Sequence, residues 1–496
     1  MTESAPTPSA KQPTVSMISL GCPRTLVDSE VYLGRLAQSG FRIVDQTEGS
    51  DVVVINTCAF VQDAIKESID TVMDAVELKR RGKIKSVLVA GCLVQRFKDE
   101  LIKELPEVDG FIGVDGFTDI DRVADQALGG RRSTSVRKRP SSMYQGHPER
   151  VALTPSHYGY LKISEGCLKG CSFCVIPKIK GPLASRPMEE LVEEARQMAA
   201  GSVARGTPSP VGIVPARSAS RGVKELVVVG QDTSDYGVDR YGAPRIAELL
   251  RALGQVDGLE WIRLLYCHPR GITPSLIRAI AETPRVCKYL DMAIEHADDD
   301  MLARMNRGTS RGHLLNVIRQ LREAVPGIAL RTSVIVGFPG ETERAFEQLL
   351  SFLQEARFDR LGAFMYSNEE GSAAYRLAEQ IPDAVKQERY DRLMALQQQL
   401  AGDLNAEWLG RTVRVLVDER DASDRAGGEG ASGAAERPTD TYIYLARSAA
   451  DAPEVDGLVY VTSPAPLPIG SFATVRITDT YEYDLTADVV DPQPTT

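Results

Sequence analysis

Four short apolar runs open this chain at regular intervals: VSMISLGC, DVVVINTC, KSVLVAGC and DGFIGVDG. Between them lie segments such as VQDAIKESIDTVMDAVELKRRG, with the length and period of a helix. Runs rich in β-branched residues that alternate with helix-length segments predict parallel β/α units, because parallel strands need a crossover between them. The first such domain is expected over 15–130, behind a disordered tail at 1–14 and ahead of a polar, basic, aperiodic linker at 131–154.

A second series, YGYLKIS, KELVVVGQD, WIRLLYCHP, KYLDMAIEHA, LRTSVIVGFPG and DRLGAFMYS, supplies six candidate strands over 155–402. Six parallel strands with right-handed crossovers predict a partial (β/α)6 barrel, with an open sheet as the alternative. Inside this series GSVARGTPSPVGIVPARSASRG is far longer than an ordinary helix-to-strand loop, so 201–222 is expected to be a disordered insertion. Short alternating strands over 405–492 predict a small antiparallel β-barrel, interrupted at 421–440 by a low-complexity stretch expected to lack structure. The fold class is therefore α/β: an N-terminal parallel β/α domain, a partial barrel and a C-terminal β-barrel.

No apolar run approaches the eighteen or more residues of a membrane span, and the opening MTESAPTPSAKQPTVS has no apolar core of a signal peptide. A cytoplasmic protein is expected. There, eight cysteines in 496 residues argue for metal binding, catalysis or burial rather than a disulfide framework. A net charge of −10 disfavours generic nucleic-acid binding, which normally shows as a basic footprint.

Three of those cysteines, Cys167, Cys171 and Cys174, sit in SEGCLKGCSFCVIP with the spacing CxxxCxxC, on the loop after a predicted strand. A structural zinc site would need a fourth protein ligand, for which His157 is the nearest candidate, and redox thiols are a further alternative. An iron-sulfur cube accepts three thiolates and leaves its fourth iron open to another ligand, so spacing and placement favour a 4Fe-4S cluster. Cys22, Cys58 and Cys92 each end a predicted strand. Singly, each reads as a buried cysteine. Together they favour a second three-cysteine cluster, since the strand ends of a parallel sheet converge on one edge. Cys267 and Cys287 have no partner spacing and read as packing residues.

The CxxxCxxC motif after the first barrel strand, with Phe173 before its last cysteine, resembles the radical S-adenosylmethionine (SAM) superfamily. Adding SLGCPRTLVDSE, INTCAF, AGCLVQRF, VGQDTSDYG, YLDMAIEHA, LRTSVIVGFPGETE and DAPEVDGLVYVT, the chain resembles the methylthiotransferases of that superfamily along almost its whole length. The resemblance implies a C-terminal TRAM domain and two 4Fe-4S clusters, an auxiliary one on Cys22, Cys58 and Cys92 and a SAM-cleaving one on Cys167, Cys171 and Cys174. It also implies that one SAM supplies a methyl group to sulfur and a second yields a 5'-deoxyadenosyl radical that takes hydrogen from the substrate. Gly230, Gln231 and Asp232 stand where the superfamily contacts the SAM amino group, although a turn after a buried strand is the alternative. Gly337 stands where backbone approaches the adenosine, again with a turn as alternative, and Phe173 where a side chain covers the cluster or the adenine. In YLDMAIEHA, relatives carry a proline and a glutamine where Ala293 and Glu295 stand.

Within the family the details resemble the enzymes that modify an aspartyl β-carbon of small-subunit ribosomal protein uS12, while other members modify an adenosine of tRNA. From Asn405 onward the chain has seven Arg, no Lys and sixteen Asp or Glu, a net of −9. A tRNA-docking surface should be basic. The expected partners are therefore uS12 or the small ribosomal subunit, an electron donor such as flavodoxin or ferredoxin and a sulfur source, with no membrane, and with tRNA as the disfavoured alternative. A non-catalytic iron-sulfur electron carrier would leave the SAM-type spacing without a purpose.

Overall fold

The computed structural model describes residues 12–138, 140, 143–144, 149–207, 214–216, 222–421 and 441–490. The chain divides into two compact units: 1–153 with 178–181 and 202–219, and 154–177 with 182–201 and 220–496.

The first unit is built on β1 (Thr14–Ser19), β2 (Arg42–Ile43), β3 (Val52–Thr57), β4 (Ser86–Gly91), β5 (Gly110–Ile112) and β6 (Ser133–Ser135). They form one sheet in the order β2-β1-β3-β4-β5-β6, and every pairing is parallel. All residues of β3 and β4 are buried, as expected of central strands covered by helices on both faces. The order places β1, β3 and β4 side by side with their C-terminal ends on one edge. Within 201–222, expected to lack structure, residues 204–207 and 214–216 form an antiparallel pair, and 204–205 also pair parallel with Val151–Ala152. The pairing with Val151–Ala152 is decided by a partner strand distant in sequence, which local composition does not register. The expected disordered stretch 421–440, apart from Asp421, lies outside the described residues, as does the tail before residue 12.

The second unit opens with six strands: β7 (Tyr158–Lys162), β8 (Glu225–Val229), β9 (Trp261–Leu264), β10 (Tyr289–Asp291), β11 (Ala329–Val336) and β12 (Arg360–Met365). β7, β8 and β9 pair parallel, as do β10, β11 and β12. Parallel bridges Ile262–Val286 and Cys267–Met292 join the two sets. Among the described residues no pairing joins β7 to β12, so the barrel is the open one expected. Along β11, Leu330, Thr332, Val334 and Val336 are buried, whereas Arg331, Ser333 and Ile335 are half-exposed. After a helix at Asp383–Ala406, β13 (Thr412–Arg420), β14 (Tyr442–Ser448), β15 (Val459–Ser463), β16 (Phe472–Thr480) and β17 (Leu485–Val489) close into a small barrel around Val415, Val417, Val459, Val461 and Val475.

The loop after β14 enters the N-terminal end of the six-stranded barrel. Tyr158 and Tyr160 donate to Glu454 at 2.7 and 3.2 Å. Tyr289 donates to Asp456 at 2.8 Å, and Arg331 and Arg360 hold Asp456 and Asp451 at 3.3 and 2.7 Å. Behind them Arg447 binds both Asp418 and Glu225, while Arg263 binds Glu225 and the carbonyl of Ala449. Asp418, Asp451, Glu454 and Asp456, counted in the sequence as acidic surface, thus face inward and fasten this barrel to the larger one. Among the described residues, no helix is long and apolar enough to cross a membrane.

Candidate iron-sulfur and SAM site

In the first unit the expected ligands stand at three adjacent strand ends. Cys22 precedes the helix Pro23–Gln38, Cys58 follows β3, and Cys92 opens the helix Cys92–Glu104 directly after β4. Two glycines make the turns possible. Gly21 has φ +97°, and a Cβ there would lie 2.9 Å from Cys58 Cβ; Gly91 has φ +96°, and its Cβ would lie 2.7 Å from the Thr57 carbonyl. Only glycine accommodates both the backbone and the contact. Polar side chains tie the edge together. Asn56 Nδ2 donates to the Thr25 carbonyl and to Ser29 Oγ, Thr57 Oγ1 donates to the Ala90 carbonyl, and Ser68 Oγ clasps the Cys58 backbone by accepting from its N–H and donating to its carbonyl.

Arg24 Nε donates to Cys22 Sγ at 3.3 Å. Burial would raise the Cys22 thiol, but the Arg24 charge and hydrogen bond, with help from Thr25, bring it down to about 7. Burial pushes Cys58 upward instead. The thiolate is the nucleophile, so in metal-free protein alkylation of Cys22 should rise through neutral pH. Peptide mass mapping should find Cys22 labelled first, and Arg24→Ala should move that profile upward.

In the second unit Cys167, Cys171 and Cys174 occupy the loop after β7. Ser172 N donates to the Met305 carbonyl and Ser172 Oγ to that of Arg304, while Asn306 Nδ2 donates to the Gly170 carbonyl, so the loop is pinned to the segment following β10. Each sulfur accepts one N–H: Cys167 from Lys169 N at 3.3 Å, Cys174 from Ile176 N at 3.4 Å, and Cys171 from Arg307 Nη1 at 3.1 Å. Burial still drives the Cys167 thiol up to about 11 and Cys174 to about 12, each raised further by the neighbouring Cys171. Thiolates in such surroundings need a cationic partner. Among the described residues no three His, Cys, Asp or Glu side chains are grouped to hold a single metal ion. A cube instead places its thiolates on separate irons, and mutually repelling sulfurs that each accept an N–H suit that donor set.

Around this loop, buried polar atoms lack hydrogen-bond partners: Ser164 Oγ, Gln231 Oε1, Asp232 Oδ2, Arg307 Nε and Thr309 Oγ1. They come from the ends of β7 and β8 and from the segment after β10, the functional face of a β/α barrel. Buried polar groups are normally paired, so this concentration fits a polar ligand such as SAM. Gln231 also donates to Glu165, which binds the fully buried Lys162. Asp232 Oδ1 caps the turn Thr233–Asp235 and accepts from His268 N, while Lys169 Nζ pairs with its Oδ2 at 3.5 Å. Gly230 packs so closely that a Cβ would lie 2.7 Å from Ser164 Oγ. Gly337 has φ +73°, and the space its Cβ would take is filled by Lys386. Phe173 packs against Met301, Met305, Phe338, Ala345, Tyr366 and Ala374. Sequence reading passed over Arg307, which lies 136 residues from Cys171 and has no local signal.

Family models match three segments: Uncharacterized protein family UPF0004 at 14–113, the Radical SAM superfamily at 210–353 and the TRAM domain at 409–490. The Radical SAM match begins beyond the CxxxCxxC loop, so the cysteine motif stands as separate support. A solved radical SAM methyltransferase, TsrM from Kitasatospora setae with cobalamin and a [4Fe-4S] cluster bound, shares the fold with a TM-score of 0.51 at 14% identity, covering 72% of this chain and 75% of that one. Fold and site define a radical SAM enzyme that uses a 4Fe-4S cluster and SAM.

Full-length relatives narrow the class. Ribosomal protein uS12 methylthiotransferase RimO of Heliobacterium modesticaldum is 42% identical over 477 residues, covering 96% of this chain and 95% of its own. The proteins of that name from Anaeromyxobacter sp. (strain K) and Clostridioides difficile (strain 630) are 42% and 39% identical, covering 97% and 96% of this chain and 94% and 98% of their own. The chain belongs to this family of radical SAM methylthiotransferases.

Proposed function

We propose that the protein methylthiolates the β-carbon of an aspartyl residue in ribosomal protein uS12, in the cytoplasm, using two 4Fe-4S clusters and two molecules of SAM. The observation that carries this reading is the near-complete alignment with proteins named for that reaction. Cys22, Cys58 and Cys92 hold the auxiliary cluster, and Cys167, Cys171 and Cys174 the one that binds SAM. When bound and reduced, these groups supply a radical able to break an inert C–H bond and a site that holds the sulfur donor. The protein's own part is placement. The loop pinned by Ser172 and Asn306 fixes three sulfurs, and the atoms of Ser164, Gln231 and Thr309 without hydrogen-bond partners, beside the Lys169–Asp232 ion pair, receive the polar groups of SAM. An electron donor such as flavodoxin or ferredoxin and a sulfur source complete the cycle.

The inward-facing carboxylates of the C-terminal barrel weaken the argument from its net charge, so the substrate is best tested directly. Coexpressed with uS12 in a host lacking its own enzyme of this kind, the protein should add a methylthio group to one aspartate, seen by peptide mass spectrometry. Unmodified uS12 together with newly methylthiolated tRNA adenosine would replace this reading with its alternative.

A further inference from the structure

Arg307 is the one charged side chain that donates to a sulfur of the CxxxCxxC loop among the described residues. Nη1 reaches Cys171 Sγ at 3.1 Å, Nη2 binds the Ala293 carbonyl, and the side chain is 5% exposed. Its position is built into the backbone. Asn306 before it and Gly308 after it have φ of 55° and 61°, and a Cβ on Gly308 would lie 2.6 Å from the Arg270 guanidinium. Glu295 Oε1 lies 4.0 Å from the same Nη1, and this carboxylate is only 14% exposed. Glu295 also has φ of 68°, a conformation costly for a residue with a side chain. It is held there because Glu295 N donates to the Ser333 carbonyl at 2.9 Å and Ile335 N to the Glu295 carbonyl at 2.8 Å. Both side chains are therefore aimed rather than free to drift.

A cation and an N–H donor at a cluster sulfur favour the more negative, reduced cluster, and a buried carboxylate beside that cation offsets the effect. We propose that Arg307 and Glu295 are positioning residues that act as an opposed pair, setting the reduction potential of the cluster on Cys167, Cys171 and Cys174. The proposal rests on assigning the SAM-binding cluster to these cysteines. Arg307 raises the potential and Glu295 lowers it, so the pair decides how readily the cluster takes the electron needed to cleave SAM.

The test is a redox titration of anaerobically reconstituted full-length protein, following by electron paramagnetic resonance the reduced-cluster signal that SAM perturbs. Arg307→Gln should lower the reduced-to-oxidised ratio about tenfold at fixed potential, a midpoint shift of about 59 mV to more negative values for one electron. Arg307→Lys, which keeps the charge, should recover most of that shift. Glu295→Gln, which keeps the shape, should move the midpoint in the opposite direction. This second variant tests the pair even where Arg307→Gln loads its cluster poorly. A midpoint unchanged by Glu295→Gln, or displaced in the same direction by both glutamine variants, would overturn the proposal. Absence of any SAM-perturbed signal in the wild-type protein would instead overturn the cluster assignment beneath it.

Discussion

Cys171→Ala is expected to abolish reductive SAM cleavage, with 5'-deoxyadenosine falling to the level of an enzyme-free control under strong reductant. The three sulfurs of the loop leave no spare ligand, because the remaining thiols of this unit, Cys267 and Cys287, are buried in other packing. Cys267 bonds with Thr233 Oγ1 at 3.3 Å and bridges to Met292 rather than to the loop. Cys267→Ala should therefore cost on the order of 1 kcal/mol of stability and leave cleavage in place. Cys58→Ala makes the complementary measurement. It should remove about half of the bound iron, as loss of one of two similar clusters requires, and end methylthiolation while SAM cleavage persists. Full cleavage in Cys171→Ala would refute the site, and loss of cleavage in Cys58→Ala would refute the division of labour between the two sets.

The placement of both cysteine sets at strand ends was legible in the sequence for a topological reason. A cysteine that ends a β-branched run must lie on the C-terminal edge once the strands pair in parallel, and β1, β3 and β4 are neighbours. The six barrel strands were legible for the same cause, since runs such as LVVV and SVIV are buried on the face toward the helices. Arg307 was not legible, because nothing in MNRGTS signals a partner 136 residues away. Nor did composition reveal that the acids of DAPEVD enter a barrel, since burial of a carboxylate depends on the arginines and tyrosines that meet it. Asp232 shows both outcomes at one residue. One oxygen performs the turn-capping expected of any Asp after a strand, and the other has no hydrogen-bond partner and only the Lys169 ammonium beside it. The pairing of 204–205 with Val151–Ala152 belongs with these long-range features, because it depends on a partner about fifty residues earlier.

The largest stability effect is expected at Arg447, whose side chain is 2% exposed and joins Asp418 at 2.7 Å to Glu225 at 2.6 Å. Arg447→Met leaves the buried Glu225 with Arg263 alone and the part-buried Asp418 with His157 alone. Removing one partner of a buried ion pair typically costs about 3–5 kcal/mol, far more than the pair contributes relative to an apolar replacement of the whole set. Chemical denaturation followed by fluorescence of Trp261, at the junction, and Trp408, in the C-terminal barrel, should show the midpoint fall. The double variant Arg447→Met, Asp418→Asn should recover part of the loss, because one carboxyl charge goes with the cation while Glu225 keeps its pairing with the buried Arg263. The pH dependence separates this cause from lost packing. His157 and Arg447 hold the Asp418 carboxyl below its ordinary range despite burial, so its contribution is present above about pH 4, the unfolded value, and disappears as pH falls through the lower folded value. The wild-type advantage over Arg447→Met should therefore narrow below about pH 4. An advantage that is constant from neutral to acid pH would show that the guanidinium acts there by filling space. The C-terminal barrel would then be fastened by the loop Ala449–Asp456 without the buried charges behind it.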